Sequence, residues 1–298
     1  SETNPEGGVV SYTYDAAGRQ ISMTDEEGRT ENDVYDGVGR IVEEKDAEGK
    51  IQTTIYDLGG NPIKSADKNG NVSSLTYDAN GNLTSVIDPL GNITAFSYDT
   101  TDNLSQVMNA LKCTTTYDYD SMGRSKQMTD ALGNSYGYQY DYNGNLTIIT
   151  LPNGDKVAFE YDAAGNVVKS TDAQGLETTY EYDDMGRIIH ASDNAKNSLS
   201  YTYDAAGNVT SRTDGLGRAA TYAYDVYGRL LQVTEADGSV TTYEYDVMDR
   251  LAAVTDAEGR RTAFAYDKAG NLVSMSEADG AIWQYAYDQI NRLVSQTN

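Results

Sequence analysis

Residues 161–175 read Tyr-Asp-Ala-Ala-Gly-Asn-Val-Val-Lys-Ser-Thr-Asp-Ala-Gln-Gly, and nearly the whole chain is a variation on this phrase. The phrase contains Asp-x-x-Gly twice, at Asp162–Gly165 and Asp172–Gly175, with a run rich in Val and Thr between them. In such a turn the Asp accepts hydrogen bonds from backbone N–H groups, two middle residues take right-handed geometry, and Gly supplies the left-handed one. That combination closes a β-hairpin through a type I turn followed by a bulge. The β-branched run between the turns reads as a strand. One phrase therefore encodes one strand pair.

Working outward, the Tyr-Asp pair recurs fourteen times at a spacing of 21 residues, from Tyr14-Asp15 and Tyr35-Asp36 through Tyr161-Asp162 and Tyr203-Asp204 to Tyr287-Asp288. With the Tyr as position 0, position +4 is Gly in eleven repeats, among them Gly18, Gly39, Gly165 and Gly207; Asp102, Asp249 and Asn291 are the exceptions. Position +5 is always Arg or Asn, as in Arg19, Arg40, Asn166 and Asn208. The second turn recurs as Asp25-Glu26-Glu27-Gly28 and Asp46-Ala47-Glu48-Gly49, with Asn4-Pro5-Glu6-Gly7 at the amino end and Lys112 and Lys196 replacing its Gly. An unbroken period of this length means one supersecondary unit stacked many times. The expectation is an all-β chain of about 28 antiparallel strands, two per repeat. Residues 1–298 are expected to be a single array of such pairs with no second domain.

Position −2 is Tyr or Phe in eleven repeats, with Asp33 and Thr54 among the departures. Residues two apart share a sheet face, so the rings form two ladders on one side. A three-residue loop would set position +6, usually Leu, Ile or Val, directly opposite the Tyr. An odd period would turn each Tyr to the opposite face from the one before, so every repeat needs a parity correction, by an even loop or a β-bulge. The Asp-to-Asp spacings of 10 and 11 place the extra residue after the second Gly. About 28 strands at roughly 4.8 Å make a ribbon roughly 135 Å long and roughly 20 Å tall, or roughly 43 Å across when bent into one turn. That is a band that needs more repeats, caps or copies to enclose anything.

Composition narrows the functional classes. The net charge of −24 argues against nucleic acid and anionic membrane surfaces. No apolar run approaches a membrane-spanning length, so no membrane insertion is expected. With 39% apolar residues and 25 Tyr against 3 Phe, a half-wetted sheet suits the chain better than a thick two-layer core. Cys113 is the sole cysteine, which excludes a disulfide framework. The missing initiator Met reads as an excised piece of something longer.

The pattern Tyr-Asp-x-x-Gly-Arg/Asn-Leu…Thr-Asp-x-x-Gly resembles the YD repeat, also called the RHS repeat, over residues 4–298. The resemblance implies that the hairpins join side by side into one long antiparallel sheet that curls or spirals into a hollow β-shell, like those of bacterial RHS polymorphic toxins, Tc toxin subunits and the teneurins. It also implies an enclosed polypeptide cargo or the remaining shell of a longer parent as partner, and a secreted or cell-surface location. Asp88-Pro89-Leu90-Gly91 superficially matches a family cleavage signature, but it lies in the regular turn column. No plug domain, core-closing region or toxin is legible.

No enzyme, cofactor or metal is expected. His190 stands in a strand at a position other repeats fill with Ser, Lys or Gln, and no nucleophile or orienting group is legible beside it. The Asp15, Asp36 and Asp57 column would lie roughly 10 Å apart, too far to share one calcium ion. The signature residues named above are therefore structural. The competing reading is a surface adhesion or carbohydrate-binding module using exposed Tyr ladders, with Trp283 as a candidate sugar platform. End-to-end self-association is expected from open edge strands.

Overall fold

The structure, a computed structural model, describes residues 1–5, 7–288 and 290–298; Glu6, part of the amino-terminal Asn4–Gly7 turn read from sequence, lies outside the described residues. Among the described residues there are 29 strands, β1 to β29 in chain order, and every strand pairs antiparallel with the next. The series opens with β1 (Glu2–Thr3), β2 (Val9–Tyr14), β3 (Gln20–Thr24) and β4 (Thr30–Tyr35). It passes through β16 (Lys156–Tyr161) and β17 (Val167–Thr171) and closes with β28 (Ile282–Tyr287) and β29 (Leu293–Thr297). The all-β hairpin array expected from the period is the fold observed.

Each hairpin end has the same construction. In the quoted repeat the Asp162 N–H donates to the Asn166 carbonyl at 2.9 Å and the Gly165 N–H to the Asp162 carbonyl at 3.1 Å. Gly165 sits at φ +89°. Where the glycine is missing, the substitutes take the same backbone: Asp102, Lys112, Lys196, Asp249 and Asn291 have φ between 61° and 72°. The turn dictates the conformation, and residue choice only sets its cost.

Tyr161 pairs with Val167, position 0 against +6 as expected, and a β-bulge follows between Glu160 and Tyr161. Its location corrects the sequence reading. Glu160 pairs with Lys169, so the unpaired residue is Val168, at +7. It lies in the strand after the first turn, not after the second Gly. The reason is that both turns enclose five residues, since Tyr14 pairs with Gln20 and Thr24 with Thr30. The short strand must then absorb the odd residue, and the same shift recurs from Thr13/Tyr14 to Ala286/Tyr287.

Only Ala220 and Ala253 are buried hydrophobics among the described residues, and no large side chain is fully buried. The sheet has no opposing layer. Its cohesion comes from ladder hydrogen bonds, cross-strand pairs and links between repeats.

Candidate functional site

The recurring side-chain contacts form three columns. The Tyr hydroxyl of one repeat donates to the carbonyl of position +6 in the repeat before: Tyr161 to Leu146 at 2.7 Å, Tyr182 to Val167 at 2.7 Å, Tyr203 to Ile188 at 2.6 Å. That carbonyl belongs to the residue just before the bulge. The ladder is locally disrupted there, and a phenol from the next repeat reaches the site. Burial raises the pKa of several of these phenols, Tyr182 and Tyr266 among them, so they stay protonated donors.

The Asp column holds the turns. In Asp36, Oδ1 accepts the N–H groups of Val38 at 2.9 Å and Arg40 at 3.0 Å, while Oδ2 accepts from Arg40 Nε at 2.7 Å. The Arg40 N–H is the leading cause that holds this carboxyl at about 2. Asp162 is also lowered, chiefly by the Asn166 side chain, which donates at 2.9 Å. The carboxylates are committed to their own turns, and no group of acidic, His or Cys side chains among the described residues is arranged to hold a metal.

Arg at +5 adds a clamp that sequence reasoning did not find. The Arg19 guanidinium lies 4.8 Å from the Tyr35 ring centroid and donates to the Asp36 carbonyl at 3.2 Å, so it grips the next repeat. Arg40 over Tyr56 and Arg187 over Tyr203 repeat the arrangement at 4.6 and 4.5 Å. The invariable Arg/Asn choice at +5 was the legible signal, but its partner lies sixteen residues ahead.

His190 Nδ1 lies 2.9 Å from Ser200 Oγ on the polar face, with Glu181 opposite in the strand register but no hydrogen bond between them. Cys113 is exposed in its turn, where its backbone N–H donates to Asn109 Oδ1. Trp283 is half-buried and pairs with Met275 in the strand register.

A further site appears where the ribbon returns on itself. Arg29 Nη1 donates to Asn291 Oδ1 at 2.6 Å, and Arg292 meets Glu48 at 3.1 Å, across 262 and 244 residues. The rim of Tyr-Asp turns in the last repeats thus lies against the rim of second turns in the first ones. The sheet is a spiral whose opposite rims meet, not a flat ring. About 24 strands complete the turn, which gives a girth of about 115 Å and a backbone diameter of about 37 Å. That is tighter than the 43 Å expected when all strands were spent on one turn.

The seam alters what it covers. Position +3 is exposed in the first eleven repeats but half-buried in the last three, at Met248, Ala269 and Ile290. Asp46 is the one buried polar side chain among the described residues, 3.3 Å from Lys68 Nζ. Burial pushes its carboxyl up, but the Lys50 N–H and Lys68 outweigh that and hold it below the ordinary range. Glu27 is raised, by burial first and then by neighbouring carboxylates that include Asp267 across the seam.

Residues 155–298 match the family model described as the teneurin YD-shell, and residues 1–30, 77–111 and 125–156 match the RHS repeat model. The chain belongs to the YD/RHS-repeat family. Among solved structures, TcdB2-TccC3-TEV is 18% identical with a TM-score of 0.58, covering 96% of this chain and 21% of that one. TcdB2-TccC3 is 17% identical with a TM-score of 0.57, covering 97% and 21%. The form without its hypervariable C-terminal region gives 17%, 0.58, 96% and 21%. This YD-repeat array therefore spans about a fifth of the length of the solved chains it matches. No curated protein matches it.

Proposed function

We propose that this array is a non-enzymatic wall segment of a hollow YD-shell that shields a polypeptide, on a secreted or cell-surface protein. The observation that carries the reading is the rim-to-rim seam, because a ribbon that meets itself after one turn encloses a bore. Family membership and the shared fold of the TcdB2-TccC3 structures support it. The signature residues, from Tyr14, Asp15, Gly18 and Arg19 to Tyr203, Asp204, Gly207 and Asn208, act in hairpin closure and repeat coupling. The whole chain works as one array without a separate domain.

The test tethers an unfolded, protease-sensitive reporter peptide to Asn298 through a flexible linker. Cleavage several-fold slower than for the free peptide is expected, with the difference lost in Arg29→Ala/Arg292→Ala, which frees the seam. Equal cleavage rates of tethered and free reporter would overturn the reading.

A further inference from the structure

Position +5 is Arg in seven repeats, Asn in seven and never Lys. The six Arg residues that have a repeat after them all lie over its Tyr ring, 4.5 to 4.9 Å from the centroid. Arg187 shows the whole grip. Its Nε donates to Asp183 Oδ2 at 2.7 Å, its guanidinium lies over Tyr203, and its Nη1 donates to the Asp204 carbonyl at 3.4 Å. One repeat earlier the same place is held by Asn166, whose amide stops at Asp162 Oδ2, 2.9 Å away. Among the described residues no guanidinium lies over the Tyr182 ring, and the Asp183 carbonyl accepts only the Gly186 N–H, at 2.9 Å.

What remains there is a cleft of 540 Å³ between two turns, lined by Asp162, Asn166, Tyr182 and Asp183 together with Glu181 and Asp184. Its lining holds four carboxylates and no cation, and of these Asp183 is already paired with Arg187. The cleft does not depend on an open rim. It recurs at Asn271, with Tyr287 and Asp288 in the places of Tyr182 and Asp183, and there the seam lies across it. It keeps 610 Å³ under that cover, and among the side chains that the seam adds to its wall is Arg29.

We infer that the Asn166 cleft receives the guanidinium of an arginine side chain from a partner polypeptide, seated against Tyr182 with its N–H groups on Asp162 Oδ2 and the Asp183 carbonyl. The next repeat is the template, because every group that Arg187 grips has a counterpart here and only the cation is missing. Asp162 Oδ2 has a lone pair beyond the one that Asn166 uses, and a backbone carbonyl accepts twice. A planar guanidinium can stack on the ring while it reaches both acceptors, which a compact ammonium cannot match. The net charge of −24 draws basic segments toward the wall. The site is independent of whether the array encloses anything.

Carbon NMR of the tyrosine rings in the full chain tests this, with the Tyr182 signal assigned through Tyr182→Phe. The probe is N-acetylarginine amide, added at about 0.15 M ionic strength, where diffuse attraction is screened beyond about 8 Å. The Tyr182 signal is expected to move and to saturate in the millimolar range. The neutral citrulline analogue leaves it in place, and the lysine analogue binds several-fold more weakly. Asn166→Arg supplies the cation from within, so it moves the Tyr182 signal without probe and abolishes the response. Arg187→Asn opens the equivalent cleft over Tyr203, which gains a response that the wild type lacks. Asn already stands at +5 in seven repeats, so that turn keeps a side-chain donor. A Tyr182 signal that never moves, or one that the lysine or citrulline analogue moves equally, would overturn the inference. So would a response that survives Asn166→Arg, or a Tyr203 signal that stays unmoved in Arg187→Asn.

Discussion

The Tyr hydroxyl tie offers a measurement with an internal control. Tyr161→Phe removes one oxygen, leaves the ring in its column, and deprives the Leu146 carbonyl of a donor 2.7 Å away. A neutral hydrogen bond of this kind contributes about 1 kcal/mol net. Tyr140 occupies the same column under Arg124, at 4.6 Å, but its hydroxyl has no hydrogen-bond partner among the described residues. Tyr140→Phe therefore costs close to nothing. Urea unfolding separates the two. With a slope of about 3 kcal/mol per M, Tyr161→Phe moves the midpoint down by about 0.3 M and Tyr140→Phe leaves it in place. Because the two ties lie five repeats apart and share no partner, Tyr161→Phe and Tyr266→Phe combined sum to about 2 kcal/mol. Equal costs at 140 and 161 would refute the tie, since the loss would then come from ring packing. A changed slope would show that unfolding had ceased to be one transition.

Other expectations follow from the turns and the seam. Gly207, at φ +94°, tolerates Ala poorly, and Gly207→Ala lowers stability by about 1–2 kcal/mol in the same assay. Asp102 carries that strain while its Oδ1 accepts from Asn80 and Asn82, both at 2.9 Å, so Asp102→Ala destabilises more than Asp102→Gly. Asp36 and Asp99 lie at about 2, below the unfolded value of about 4. Their contribution is complete above about pH 4 and is lost as pH falls through about 2, so the thermal midpoint is flat at neutral pH and drops across that window. A midpoint that falls already between pH 7 and 5 would contradict this. Arg29→Ala/Arg292→Ala opens the seam and removes one side-chain bond from each of two turns, those to Asp25 and Asp288, while the backbone bonds of every hairpin remain; small-angle scattering records a larger radius of gyration with an unchanged circular dichroism spectrum.

The hairpins were legible because their determinants are local. Asp162, Gly165 and Asn166 sit within five residues and satisfy one another. The 0-to-+6 pair and the need for a parity correction, by an even loop or a bulge, were legible too, from loop size and the odd period. The place of the bulge was not: the 11-residue spacing points after the second Gly, yet the equal turns put the extra residue at Val168. The reach of Arg19 to Tyr35 and Asp36 was hidden because it depends on which strands lie side by side and how far a guanidinium extends. The seam was invisible altogether. Arg29 and Asn291 meet only through curvature summed over the whole ribbon, and no short-range pattern distinguishes Arg29 from the Arg residues of other second turns.

The spiral seam has a consequence for how the length of such an array can change. In a closed barrel, strand number and stagger are locked together, and one extra hairpin demands a different barrel. Here a repeat gained or lost moves the meeting point along the rim by one turn. The new neighbours are again a Tyr-Asp turn above an Asp-x-x-Gly turn. Closure is indifferent to the count, so duplication and deletion of 21-residue units can lengthen or shorten the wall without passing through a broken form.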